Sequence, residues 1–145
     1  MKTQVHRVEY FALTLNDRPG EGAELGRKLA EEGVKLAAFS AFPLANGKSQ
    51  IDLVPEHTED LTRALRKLGM SVPSPKAAFL IEGQDAIAGL TDAMRKLGEG
   101  GVNVRAAYGI TGDNGRYGTL LWVAPGDVSK AVRLLSATAR ETHHV

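Results

Sequence analysis

Three dipeptides occur twice in this chain at one fixed spacing, and that spacing restricts the folds that the chain can adopt. The repeated pairs are Lys28-Leu29 and Lys96-Leu97, Gly33-Val34 and Gly101-Val102, and Asn46-Gly47 and Asn114-Gly115. Each spacing is 68 residues (96 − 28, 101 − 33 and 114 − 46). Chance explains poorly a spacing that holds across predicted helix, strand and turn. We therefore interpret the chain as a tandem repeat, with one unit at 1–73 and a second at 74–145.

Each unit follows the order strand, helix, strand, strand, helix. In the first unit, the hydrophobic pattern predicts strands over 5–15, 34–42 and 48–54 and helices over 23–32 and 59–68. In the second unit, it predicts strands over 76–82, 102–110 and 116–123 and helices over 85–97 and 128–139. The Asn-Gly dipeptides predict one hairpin in each unit. This order is typical of an α+β, ferredoxin-like βαββαβ fold, in which an antiparallel sheet carries two helices on one face.

Three finer predictions depend on short segments. Met70-Ser71-Val72 is interpreted as a short edge strand that completes the first unit. The repeat spacing grows to 70 between Pro55 and Pro125, which indicates a small insertion in the second unit. The inward face of the helix over 85–97 is predicted to consist of Ile87, Leu90, Met94 and Leu97.

Composition excludes several classes of function. A net charge of +1 gives no electrostatic basis for binding nucleic acid or an anionic membrane. The chain has no cysteine, which excludes disulfides, thiolate metal sites and cysteine nucleophiles. The hydrophobic content of 43% supports a packed core, but no apolar run is long enough to span a bilayer. Since the first residues also lack a signal-peptide pattern, we expect a cytoplasmic protein.

The segment Asn16-Asp17-Arg18-Pro19-Gly20-Glu21-Gly22 joins the first predicted strand to the first helix. Pro19 fits the first helical turn because its missing N–H would have no partner there. The N–H groups of Gly20, Glu21 and Gly22 are then expected to lack intrahelical acceptors at the positive end of the helix dipole. Such groups suit a carboxylate or another small anion. From these seven residues alone, a turn followed by a helix start is the simpler interpretation.

This loop and the residues that follow it, Leu25, Leu29-Ala30 and Gly33-Val34, resemble the ACT domain. The resemblance covers nearly the whole chain, as two copies with no catalytic domain attached. It implies a regulatory module rather than an enzyme, with no cofactor, that binds a small amino acid or related metabolite where two units pair side by side. It also implies a homodimer and a metabolic enzyme as partner. The alternative is a regulatory subunit that binds no ligand and only assembles with such an enzyme.

The family's ligand site implies a set of candidate residues in this chain. From the first loop they are Asn16, Asp17, Arg18, Pro19, Gly20, Glu21 and Gly22. Asn103, in the second strand of the second copy, is a further candidate, although a solvated strand-end residue explains it more simply. Asp17 and Glu21 would take the ammonium group of a zwitterion while the loop amides take its carboxylate. The side chain of Arg18 is expected to point to solvent or to pair locally. The second copy has Gly83-Gln84-Asp85 at this place, which keeps an acidic residue but lacks Arg-Pro-Gly.

Other functional patterns fit the sequence less well. Gly20, Gly22 and Gly26 imitate a dinucleotide-binding fingerprint, but no acidic residue ends the second strand. The histidines do not have the spacing of metal ligands, and they are His6, His57, His143 and His144. The aromatic residues are not set in the basic run of an RNA-recognition sheet. We therefore predict no metal site, no nucleic-acid partner and no catalytic residues.

Overall fold

The computed structural model describes residues 3–140, and contacts along the backbone divide them into two units. One unit is formed by residues 9–76, and the other by residues 3–8 together with 77–140. The first strand, β1 (Gln4–Asn16), therefore gives its first residues to one unit and the remainder to the other. The predicted units, 1–73 and 74–145, assign β1 to the first unit alone, because a sequence pattern does not show which neighbours a strand pairs with.

The unit of residues 9–76 is a sheet covered by two helices. After β1 its elements are α1 (Glu21–Glu31), β2 (Leu36–Pro43), β3 (Lys48–Pro55) and α2 (Thr58–Lys67). The strand order is β2-β3-β1, and both pairings are antiparallel. Its buried core joins alternate strand residues to both helices and includes Phe11, Leu13, Leu53, Leu25, Leu29, Leu61 and Leu65. Both helices therefore lie on the same face of this sheet.

The unit of residues 3–8 and 77–140 has the same plan. Its elements are β4 (Lys76–Gly83), α3 (Ala86–Glu99), β5 (Val104–Thr111), β6 (Tyr117–Val123), α4 (Val128–Leu135) and β7 (Thr138–Ala139). The order β4-β6-β5 is antiparallel, and β7 pairs in parallel with the start of β1. One core again joins the strands to both helices, and it includes Phe79, Ile81, Leu121, Val123, Ala93, Leu97, Ala131 and Leu135. The predicted α+β class with antiparallel, ferredoxin-like sheets is confirmed.

The spacing of 68 residues reappears in the geometry of the backbone. The last residues of four pairs of elements keep it, and they are Glu31 and Glu99, Pro43 and Thr111, Pro55 and Val123, and Lys67 and Leu135. Asn46 and Asn114 both have a positive φ, of 63° and 60°. Since the equivalent of Pro55 is Val123, the expected insertion before Pro125 does not exist. Instead, a short 3-10 turn over Pro125–Asp127 precedes α4, which ends in step with α2.

Three of the finer predictions are wrong. Residues 70–72 form no strand, and the last predicted helix stops at Leu135, where Ser136 turns the chain with a φ of 51°. The inward face of α3 also differs from the prediction, since Ile87 is 76% exposed and Met94 is 46% exposed. The residues of α3 that are buried are Gly89, Ala93 and Leu97. Apolar spacing alone pointed to the large residues, whereas the close approach of α3 to its sheet selects small ones.

Candidate functional site

The loop between β1 and α1 begins the helix later than the sequence suggested for its proline. Gly20 is the N-cap residue of α1 and has a φ of 89°, in the left-handed region that favours glycine. Pro19 therefore precedes the helix rather than forming its first turn. No side-chain oxygen caps the first turn of α1. The helix starts on a bare backbone, so its first N–H groups depend on other partners.

Two of the three expected amide groups of this loop are free. The N–H of Glu21 donates to the carbonyl of Arg18 at 3.2 Å, so the expectation that it lacks an acceptor is wrong. Among residues 3–140, no hydrogen bond takes the N–H of Gly20 or of Gly22. A Cβ atom built on either glycine would meet no heavy atom within 4 Å. The start of α1 thus offers two unpartnered donors with open space beside them.

The charged side chains of the loop divide into a pair and a single carboxylate. Arg18 Nη2 lies 2.9 Å from Glu21 Oε1, as expected for an Arg18 that pairs locally. This ion pair is on the surface, and it engages the carboxylate that was assigned to a ligand ammonium group. Asp17 is exposed, and its side chain makes no hydrogen bond or ion pair with the described residues. Asp17 is therefore the carboxylate at this loop that remains available.

A lysine that the sequence did not single out also belongs to the loop. The N–H of Asp17 donates to the carbonyl of Gly47 at 2.8 Å, which ties the loop to the hairpin between β2 and β3. Lys48 Nζ donates to Asn16 Oδ1 at 2.6 Å. The antiparallel pairing of Asn16 with Lys48 follows from the Asn-Gly hairpin signal, so a register argument could have found this lysine. It brings a positive charge to the loop that holds the free amides.

The equivalent place in the second copy is closed. Asp85 is the N-cap residue of α3, and its Oδ1 accepts from the N–H of Ala88 at 3.1 Å. The ring of Tyr117 covers the same turn, since a Cβ on Gly89 would lie 1.6 Å from the Tyr117 hydroxyl. A Cβ on Gly83 would lie 2.8 Å from that ring. The cap satisfies the helix start, and the ring fills the space beside it.

Asn103 belongs to the other unit and lies outside its strand. It is exposed and precedes β5, which begins at Val104. The loop residues 16–22 all belong to the unit of residues 9–76. Asn103 is therefore not part of the site that this unit forms by itself.

A buried carboxylate lies elsewhere in the first unit. Asp52 on β3 is 4% exposed and accepts from Gln50 Nε2 at 2.8 Å and from Ser40 Oγ at 3.4 Å. Its equivalent in the second copy is the apolar Leu120 (52 + 68). Because both oxygens accept hydrogen bonds within β2 and β3, we interpret this cluster as a structural link between those strands.

Two further surveys concern the described residues only. Within residues 3–140, no group of three His, Cys, Asp or Glu side chains is placed to hold a metal ion. His143 and His144 lie outside this range. None of the helices in the described chain combines the length and apolarity needed to cross a bilayer.

Comparison with known proteins supports the fold. No family model matches the chain, and no curated protein matches it significantly. A crystal structure of a Bacteroides thetaiotaomicron protein has a TM-score of 0.74 at 16% identity, covering 92% of this chain and 88% of that one. The ligand-free regulatory subunit of aspartate kinase from Thermus thermophilus has a TM-score of 0.58 at 14% identity, with 94% and 95% covered. The subunit from Thermus flavus scores 0.52 at 15% identity, with 93% and 94% covered. At these identities the likeness establishes an ACT-like fold.

Proposed function

We propose that this chain is a regulatory module that binds a small amino acid, or a related metabolite, at the loop of residues 16–22. The observation that carries the proposal is the pair of free N–H groups on Gly20 and Gly22, with open space beside both. Free amides at the positive end of a helix dipole bind carboxylates. The chain has no family match, so the chemistry of this loop carries the argument.

The charges around the loop fit a zwitterion. The carboxylate of the ligand accepts from Gly20 and Gly22 and is attracted by Lys48. Its ammonium group pairs with Asp17, whose side chain is exposed and unpaired in the described structure. Arg18 neutralises Glu21, which lowers the repulsion that the ligand carboxylate would otherwise meet. Asn16 contributes by holding Lys48, and Pro19 by fixing the entry to the helix.

The proposal includes an arrangement of two ACT-like units side by side, with Asn103 of a neighbouring unit reaching the ligand. Ligand binding then stabilises one mutual arrangement of units, which a metabolic enzyme senses. The fold that this chain shares with the Thermus regulatory subunits of aspartate kinase supports this proposal. We also propose that the chain is a cytoplasmic homodimer without catalytic activity or cofactor.

Thermal denaturation in the presence of each common amino acid tests the proposal. We expect one or a few of them to raise the melting temperature, because a ligand that binds only the folded state stabilises it. Gly22→Val places a branched side chain beside the free amides and should abolish the rise. Gly26→Val, one turn further along the same helix and equally open, is the matched control and should retain it.

The alternative is a subunit that binds no amino acid and only assembles with a metabolic enzyme. The fold of the Thermus subunits is compatible with it as well. A chain whose melting temperature responds to no amino acid, but which forms a stoichiometric complex with a purified enzyme, would support this alternative. Equal ligand responses of Gly22→Val and Gly26→Val would show that the ligand binds elsewhere.

A further inference from the structure

Strand β5 is an edge strand with little protection against pairing with another strand. It ends the order β4-β6-β5 of its unit, and its residues from 106 to 111 include no charge and no proline. Tyr108 is 57% exposed and Ile110 is 78% exposed. Edge strands are usually protected by charges, prolines or coverage by other elements. The unprotected edge of β5 therefore suggests that it is covered in the assembled protein.

The hydrogen bonds of the β5–β6 hairpin show which backbone groups face outward. The N–H of Gly112 donates to the carbonyl of Arg116 at 2.7 Å, so residue 112 points toward β6. Because direction alternates along an antiparallel strand, Ile110 and Tyr108 also point their backbone groups toward β6. The backbone groups of Ala107, Gly109 and Thr111 then point away from it, where the described chain places no strand.

We propose that β5 pairs in antiparallel fashion with β5 of a second copy of this chain, about a two-fold axis at Gly109. In this register Ala107 and Thr111 of the partner subunit exchange hydrogen bonds, as do the two Gly109 residues. Tyr108 then lies opposite Ile110 of the partner subunit, on the sheet face without helices. An aromatic residue opposite a β-branched one is a favourable cross-strand pair, and the two-fold axis forms this pair twice.

Charge complementarity supports a second copy as the occupant. Residues that face each other about Gly109 have numbers that add up to 218, so Arg105 reaches the level of Asp113 of the partner subunit (105 + 113). Both side chains are exposed, and neither makes an ion pair among residues 3–140. The strand is therefore complementary to itself in backbone, apolar side chains and charge, which a closed symmetric dimer requires.

The other edge strand shows why β5 rather than β2 takes this part. By the repeat spacing, the outward residues of β2 are Phe39, Ala41 and Pro43, the last of which is equivalent to Thr111 (43 + 68). The N–H of Leu44 donates to the carbonyl of Lys48, which gives β2 the same phase as β5. Pro43 has no N–H to donate, so β2 carries at its outward position the residue that protects edge strands.

Sedimentation velocity of the full chain tests the proposal. We expect the wild-type chain to sediment as a dimer, and Ile110→Lys to weaken dimerisation at least tenfold because it places a charge in the apolar pair. Phe39→Lys, a matched change at a residue of β2 that is 67% exposed, should leave the dimer unchanged. A monomeric wild-type chain would overturn the proposal, as would a dimer that Phe39→Lys disrupts and Ile110→Lys does not.

Two more variants test the register. Thr111→Pro removes an outward N–H and should also weaken the dimer at least tenfold, with an unchanged circular dichroism spectrum as the sign of intact folding. Arg105→Asp should weaken the dimer about threefold to tenfold, and adding Asp113→Arg should restore it. A double variant as weak as the single one would overturn the register. Dimerisation through β5 does not require an amino acid, so it can fail while ligand binding holds, and the reverse.

Discussion

The starts of α1 and α3 carry an aspartate at the same place in the repeat, and the two aspartates have different surroundings. Asp85 caps α3, which begins at the next residue. Asp17 lies 68 residues earlier but caps nothing, because α1 begins only at Glu21. The Arg-Pro-Gly segment moves the start of α1 away from its aspartate. One helix start is therefore satisfied by its own chain, while the other keeps free donors and a free carboxylate.

Packing separates the two helix starts in the same sense. In the second copy, Tyr117 fills the space above Gly83 and Gly89. The residues of the first copy that correspond to Tyr117 and Gly83 are Ser49 and Leu15, which pair across β1 and β3. A large aromatic residue is thus replaced by a small one in the copy whose helix start is open. Closure in the second copy depends on both a cap and a ring, and each can be removed separately.

The largest expected difference comes from adding one methyl group to each helix. Gly89→Ala places a Cβ 1.6 Å from the Tyr117 hydroxyl, and we expect it to lower the free energy of unfolding by about 3 kcal/mol through overpacking. Gly26→Ala in α1 meets open space and should raise it by about 0.5–1 kcal/mol, because alanine favours the helix. Urea denaturation measures both. Equal effects of the two changes would contradict the difference in packing.

The caps should differ by a smaller amount. Asp85→Ala removes the hydrogen bond to Ala88 and should cost about 1 kcal/mol in the free energy of unfolding. Asp17→Ala removes no hydrogen bond in the described structure and should change stability by less than about 0.5 kcal/mol. The same denaturation experiment compares them. A cost for Asp17→Ala that matches that of Asp85→Ala would show that Asp17 also supports its helix.

Removal of the Tyr117 hydroxyl should have little cost. This oxygen is buried and has no hydrogen-bond partner in the described structure. Since an unsatisfied buried hydroxyl destabilises the folded state, Tyr117→Phe should raise the free energy of unfolding by up to about 1 kcal/mol. It should also lessen the cost of Gly89→Ala when the two are combined. A loss of stability in Tyr117→Phe would mean that the hydroxyl is bonded.

The smallest effects concern ion pairs that both copies share. A hydrogen bond from Arg27 lowers the pKa of Glu24 below its ordinary value, and hydrogen bonds from Lys96 and Arg95 lower the pKa of Asp92. Arg27→Ala and Arg95→Ala should raise the pKa of the respective carboxyl group, as NMR titration can measure. Because both folded pKa values are depressed, the small stabilisation is present above the unfolded pKa and is lost as the pH falls through the folded one. A shift in one helix only would show that the pairs differ.

The sequence predicted the fold well because the fold depends on periodic patterns. Hydrophobic spacing and the Asn-Gly turns predicted most of the strands and helices, and the fixed spacing reappeared in the ends of the elements. The failures came from contacts between elements. Ile87 was predicted inward because it is apolar, whereas Gly89 is buried because Tyr117 needs the space. In the same way, the loop was recognised from its glycines, but Lys48 became part of it only through the pairing of β1 with β3.

Amide NMR spectra recorded during titration with the common amino acids test the central claim most directly. The claim is that the open start of α1, and not the closed start of α3, binds the ligand. We predict that a binding amino acid shifts the amide signals of Gly20 and Gly22 and leaves those of Ala88 and Gly89 unchanged. Saturable shifts at Ala88 and Gly89, or binding that leaves Gly20 and Gly22 unshifted, would contradict the claim.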